Sequence, residues 1–229
     1  MNRLTLFQQQ YLRAAELFLW SEALDFTEWF IGERVRWKRT EYTLPRLVER
    51  RELRAVQSGK KLVYTASKRS STRHICHGLT CTKALLRFKS SKEGDYIPEI
   101  YFRRYGYKAI PEWGIVYPNS TLLFEYATAD NFRRLKAMNQ KIQIYQKDLR
   151  RFRQVFIAPF YLIVIDAPRY EVQRFSDKLD ENFFAVDKQS FFEAEKGEQL
   201  TESIYIWGGD GKSYPLESGN GQTDRTSLG

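Results

Sequence analysis

Only two cysteines, two histidines and two methionines occur among the 229 residues. Two cysteines in so long a chain cannot make a disulfide framework, so stability has to come from an apolar core. No apolar run approaches the roughly 20 residues that a bilayer span requires. The longest, from Val155 to Ile165, is interrupted by Pro159 and ends at Asp166, and it reads as a buried strand. Met1 opens directly into Asn-Arg-Leu-Thr, without the apolar stretch of a secretory leader. These absences predict a cytoplasmic protein with no membrane partner.

Hydrophobic residues make up 42% of the chain and aromatics 15%, enough to build proper cores and to exclude disorder throughout. The net charge of +9 is unevenly placed. Residues 1–73 carry 15 Lys/Arg against 8 Asp/Glu, residues 74–153 carry 15 against 7, and residues 154–229 carry 7 against 13. A basic body with an acidic C-terminal part points to a polyanion partner and to a second region with another job.

Leu4, Phe7, Tyr11, Ala14, Ala15, Phe18 and Leu19 recur at helical steps and predict an amphipathic helix. A second helix is expected over residues 24–32, with Asp25 or Thr27 as its N-cap. A third follows, capped by Thr40 or Thr43, with Leu44, Leu47 and Val48 inward, Pro45 in its first turn and Arg46, Arg50 and Arg51 outward. Two β-like runs flanking Ser58-Gly59 read as a hairpin. Helix, helix, basic helix and hairpin is the order of a winged helix-turn-helix. A helix fits the DNA major groove, and Lys or Arg on the hairpin can meet phosphates. Between Arg34 and Arg73 there are 13 basic and 3 acidic residues. Arg36, Lys38, Arg39, Arg46, Arg50, Lys60 and Lys61 are the expected contacts to double-stranded DNA. The alternative reading of such a basic run is a solvated face on a protein-binding module.

Every histidine and cysteine lies in RHICHGLTC, as His74, Cys76, His77 and Cys81. On a helix His74, His77 and Cys81 share a face, but Cys76 does not and no second ligand pair exists. The reading is a set of structural groups at a helix start rather than a zinc module.

Two further strands are predicted at residues 112–117 and 121–126, then a helix over residues 131–152 with a basic outer face. Pro111-Glu112, and then Glu125 within an apolar strand, has the form of a two-carboxylate hairpin that could hold Mg²⁺. The hairpin resembles the metal-binding hairpin of restriction-endonuclease-like folds, which implies a lysine two places beyond the second acid; here Ala127 stands there. Asp130, Lys136 or Lys141 could supply a displaced charge. The C-terminal third reads as a strand at residues 160–166, a surface helix over 170–181, short strands at 183–186 and 204–207, and a disordered tail from 217.

The basic helical region, the helix with His77-Gly-Leu-Thr, Pro111-Glu112, Leu-Leu-Phe-Glu-Tyr-Ala-Thr and a Lys-x-x-x-Tyr-bearing helix together resemble the replication-relaxation family of plasmid and mobile-element proteins, over roughly residues 4–216. The resemblance implies an α+β chain, with a winged helix-turn-helix at 1–70, a restriction-endonuclease-like α/β domain at 71–216 and a tail at 217–229. It implies a role in plasmid replication or its regulation, with Glu112 and Glu125 at the acidic positions and His77 as the helix histidine. Ala127 breaks the pattern of the second strand, so an impaired nuclease is expected. A metal-dependent endonuclease and a dimeric transcriptional repressor are the alternatives. Besides DNA, a homodimer mate or a replication protein is a candidate partner.

Overall fold

The computed structural model describes residues 4–30, 37–66, 71–89, 94–108, 110–133, 135–176, 178–179, 182–194, 205–207 and 213–215. The chain is an α+β protein that divides into two compact units, residues 1–89 and 90–229. Among the described residues, no helix is long and apolar enough to cross a membrane.

The first unit begins with α1 (Leu6–Leu17), whose start is fixed by a capping box between Thr5 and Gln8. A two-residue strand, β1 (Ser21–Glu22), leads into α2 (Ala23–Trp29) and α3 (Trp37–Glu49). The hairpin of β2 (Arg54–Ser58) and β3 (Lys61–Thr65) turns at Gly59, whose φ of +60° is available to glycine at little cost. β1 pairs antiparallel with β3, giving the sheet order β1-β3-β2. Tyr11, Phe18, Phe26, Phe30, Leu44 and Leu47 form the buried interior.

Several expected details change. The N-cap of α2 is Glu22, whose backbone N–H donates to Asp25 Oδ2 at 2.6 Å, so Asp25 lies inside the helix. Neither Thr40 nor Thr43 caps α3: both are buried within it, and Thr40 shares hydrogen bonds with Tyr11 at 2.8 Å and Thr27 at 3.2 Å. Pro45 sits in the helix interior rather than the first turn. Finally, α4 (Ile75–Phe88) belongs to the first unit, which moves the boundary from residue 70 to 89. Thr82 Oγ1 on α4 donates to the Trp20 carbonyl at 2.8 Å, and Gly78 lies against the Trp20 ring. A β-carbon at Gly78 would stand 2.6 Å from Trp20 Cδ1 and 3.1 Å from the Trp20 backbone N. Gly78→Ala is therefore expected to cost about 2 kcal/mol through overpacking, read as a lower urea midpoint at unchanged slope.

The second unit is built on a seven-stranded sheet. In chain order its elements are β4 (Asp95–Pro98), α5 (Glu99–Arg104), β5 (Trp113–Val116), β6 (Thr121–Ala127), α6 (Ala129–Arg133), α7 (Leu135–Phe152) and β7 (Pro159–Ile165). There follow α8 (Arg169–Ser176), β8 (Phe183–Asp187), α9 (Lys188–Glu193), β9 (Tyr205–Trp207) and β10 (Ser213–Pro215). The strands lie in the order β10-β9-β8-β7-β6-β5-β4, with β6, β7 and β8 parallel and the remaining pairs antiparallel. The parallel strands need crossovers, which α7 and α8 provide. Leu123, Tyr161, Ile163 and Phe183 pack on one face of the sheet with Ile142, Leu149 and Phe152 of α7 and Val172 of α8. On the opposite face Trp113 stacks on Phe124 at 4.2 Å, and Phe191 of α9 lies 6.2 Å from Phe124.

The strand at 204–207 is present from Tyr205, while Ile204 and the tail from 217 fall outside the described residues. Short elements without a strong sequence period, namely β1, β4, α5, α9 and β10, were not expected.

Candidate functional site

The basic groups of the first unit are distributed over α3 and the hairpin. Lys38, Arg39 and Arg46 are exposed on α3, away from the buried Thr40, Leu44 and Leu47, and Arg50 is exposed in the turn that follows; Glu41 and Glu49 share that outer side. Two of the arginines lie flat on aromatic rings, Arg39 over Phe7 at 4.2 Å and Arg46 over Tyr42 at 3.7 Å. Such stacking holds a guanidinium in place while leaving its edge N–H groups outward. Lys60 is exposed at the hairpin tip. Lys61 is exposed as well, and its ammonium donates to both carboxylate oxygens of Glu22 at 2.8 and 3.0 Å, linking β3 to β1. Arg36 lies outside the described residues. Residues 1–89 hold 18 Lys/Arg against 8 Asp/Glu, whereas residues 90–229 hold 19 against 20. The positive charge of the chain is thus carried by its first unit.

His74 precedes α4 and is exposed, as is Cys76; His77 is partly buried and Cys81 fully so. Neither cysteine forms a disulfide among the described residues. His77 and Cys81 lie one turn apart on the same helix face, as their spacing predicts, and Cys76 points elsewhere.

In the second unit the two predicted acids come together. Trp113 pairs with Phe124 and the Glu112 N–H donates to the Phe124 carbonyl at 2.9 Å, so the register sets Glu112 opposite Glu125 across β5 and β6. Opposed residues of an antiparallel pair have β-carbons about 5 Å apart. Glu125 is almost completely buried, on the sheet face covered by α7. Two side chains of that helix, one turn apart, close over it. The Lys141 ammonium binds Glu125 Oε1, and the Tyr145 hydroxyl donates to Oε2 at 2.5 Å. Burial pushes the Glu125 carboxyl above its ordinary range; Lys141 opposes that shift, and the neighbouring Glu112 adds to it. Burial raises Tyr145 well above its ordinary value too, and the carboxylate it faces raises it further. Tyr161 stacks beneath Tyr145 at 4.6 Å and on Phe183 at 5.2 Å, and its buried hydroxyl has no hydrogen-bond partner among the described residues.

The cation absent from position 127 therefore arrives from the following helix. Ala127 is buried in the apolar cluster, and of the three displaced charges the sequence offers, it is Lys141 that meets Glu125. Asp130 is exposed on α6, and the Lys136 side chain lies outside the description. The Lys-x-x-x-Tyr spacing was the available signal: residues four apart on a helix share a face. As a metal site the arrangement fits poorly. Two carboxylates suit Mg²⁺, which keeps several waters when bound. Here both oxygens of Glu125 are engaged by protein groups, and the carboxylate is shut away from solvent.

A second polar group stands at the carboxyl ends of the parallel strands. Tyr126 Oη and Lys188 Nζ each donate to Asp166 Oδ2 at 2.9 Å. Burial works against ionisation of Asp166, but these two donors hold its carboxyl below the ordinary range. Nothing in the sequence pattern joined these three residues.

No family model, curated protein or solved structure matches this chain.

Proposed function

We propose that the chain is a double-stranded-DNA-binding protein of plasmid or mobile-element replication or its regulation, docking through a winged helix-turn-helix in residues 1–70. The observation that carries the DNA reading is the outer side of α3 and the turn after it, where Lys38, Arg39, Arg46 and then Arg50 are exposed over a buried apolar side, followed in the chain by a hairpin tipped by Lys60. The order α1-β1-α2-α3-β2-β3 and the sheet order β1-β3-β2 support the winged-helix reading. The element α3 is then the recognition helix and the hairpin the wing. The second unit is read as a restriction-endonuclease-like domain. Its support is the antiparallel β4-β5-β6, the α7 crossover to the parallel β7, and acids at the start of β5 and within β6. Ala127 in place of the lysine, and Lys141 and Tyr145 on Glu125, support the reading that this domain is catalytically impaired.

Changing Lys38, Arg46 and Lys60 together to Glu is expected to weaken duplex binding roughly 100-fold at moderate salt and to reduce the log–log salt slope by about three. Fluorescence anisotropy over a salt series measures both. An unchanged slope would show that α3 and the hairpin are not the docking face.

A second reading, a metal-dependent endonuclease, is favoured by one observation, the register that sets Glu112 across from Glu125. Mg²⁺-dependent nicking of supercoiled plasmid by the wild type, lost in both Glu112→Ala and Glu125→Ala, would put this reading in place of the first.

A further inference from the structure

The second unit is near neutral overall, so a local concentration of positive charge on it is a matter of placement. One such concentration lies where the C-terminal half of α7 meets the segment after α5. Arg151 Nη1 donates to the Gly106 carbonyl at 3.4 Å, and its guanidinium lies 4.8 Å over the Tyr107 ring. The Lys108 N–H donates to Asp148 Oδ2 at 2.6 Å. These contacts bring exposed Lys108 beside Arg151, and Arg151 is one turn from exposed Lys147 on the same helix, with exposed Arg150 adjoining. The acids in the neighbourhood are engaged: Asp148 is buried under Lys108 and Arg151, and Glu99 is held by Arg103.

At the edge of this group stands Tyr105, 61% exposed, its ring 4.5 Å from that of Tyr101. Gly106, at φ +66°, turns the chain so that Tyr105 projects ahead of the segment that runs back along α7. An exposed tyrosine braced by a second ring offers a stacking face. Cations at spacings of one helical turn can follow a phosphate backbone. That pairing of stacking platform and basic track suits unpaired nucleotides, whose bases have a free π-face, better than a duplex, whose bases are already stacked.

We infer that the second unit binds single-stranded nucleic acid, with Tyr105 stacking on a base and Lys108, Lys147, Arg150 and Arg151 tracking the phosphates. This surface is separate from α3 and does not rest on the duplex docking proposed above. A chain that opens its own site during replication would use both.

The full chain is titrated against a fluorescein-labelled oligothymidine of about 20 nucleotides and, separately, against a duplex. Tyr105→Ala should weaken oligothymidine binding about ten-fold, and Tyr105→Phe should restore it, because stacking needs the ring and not the hydroxyl. Changing Lys108, Lys147 and Arg150 together to Glu should lower the oligothymidine salt slope by about two, the single-strand value for three contacts. The Lys38/Arg46/Lys60 variant should lose duplex binding and keep the oligothymidine. All substituted side chains are exposed, and circular dichroism and melting temperature verify folding. The inference is overturned if the wild type does not bind oligothymidine, or if the Tyr105 and triple variants bind it like the wild type. It is also overturned if polyglutamate competes as well as nucleic acid and Tyr105→Ala has no effect, which would assign the patch to an acidic protein.

Discussion

Replacing Lys141 with methionine is expected to lower the unfolding free energy by about 3 kcal/mol at pH 8 and to have little effect near pH 4. Methionine keeps the length and apolar stem of the side chain, so the loss is that of the ammonium bound to Glu125. Removing one partner of a buried pair leaves the other charge uncompensated, typically at about 3–5 kcal/mol. The lower figure applies because Lys141 is 42% exposed and water screens part of the interaction. The pH window follows from the direction of the Glu125 shift. Its folded carboxyl is raised above the unfolded value, so the folded state holds a proton that the unfolded state releases earlier. The stability from that proton is complete below the unfolded value and is lost as pH rises through the folded one. Without Lys141 the folded value climbs further, and the loss at high pH deepens. Glu125→Gln should be better tolerated than Lys141→Met at pH 8, and the double variant should recover most of the lost stability. Chemical denaturation of the four proteins at pH 4, 6 and 8 measures the cycle. A Lys141→Met deficit that is the same at all three pH values would mean that packing, not charge, is what Lys141 supplies.

Asp25→Asn is expected to stabilise the protein at neutral pH, against the usual direction of substitutions in a buried position. Asp25 is buried at the start of α2, where desolvation pushes its carboxyl from the ordinary 3.8 up to about 6; the Glu22 N–H and Lys83 oppose the shift, while Glu22 and Glu28 add to it. The sign is that of a raised carboxyl: its stabilising proton is fully held below about 3.8 and is lost as pH rises through about 6. At pH 8 the folded chain carries a buried negative charge whose cost is on the order of 2–3 kcal/mol, from the size of the shift at about 1.4 kcal/mol per unit. Asparagine removes the charge, and its Oδ1 can still accept the hydrogen bond from Glu22 that closes the first turn. Thermal melts should therefore show the Asp25→Asn variant several degrees more stable than the wild type at pH 8 and equal to it at pH 4. A lower melting temperature at pH 8 would mean that the ionised carboxylate is needed at the helix N-terminus.

The long elements were legible because their periods are strong. Leu4 to Leu19 repeat at helical steps and give α1, and the apolar runs at residues 122–124 and 160–165 give the two central strands, buried on both faces. Residues with one strong local preference were misplaced when a distant partner claimed them. Thr40 has the character of a cap, but the Tyr11 hydroxyl, 29 positions away, holds it inside α3. Likewise the boundary expected at residue 70 precedes α4, yet the absence of a side chain at Gly78 lets α4 lie on Trp20.

For the second unit, the sequence by itself determined that Glu112 and Glu125 lie on neighbouring strands and that Lys141 and Tyr145 share a helix face. These follow from the periods of two and of 3.6, which are local properties of the chain. Only the tertiary structure decided that the register sets the two acids opposite each other and that α7 lies over that face of the sheet, its lysine and tyrosine on Glu125. The choice is made by the apolar residues around them. Ile142, Leu149 and Phe152 must bury against Leu123, Tyr161 and Ile163, and that packing fixes where every polar group on the same helix comes to rest.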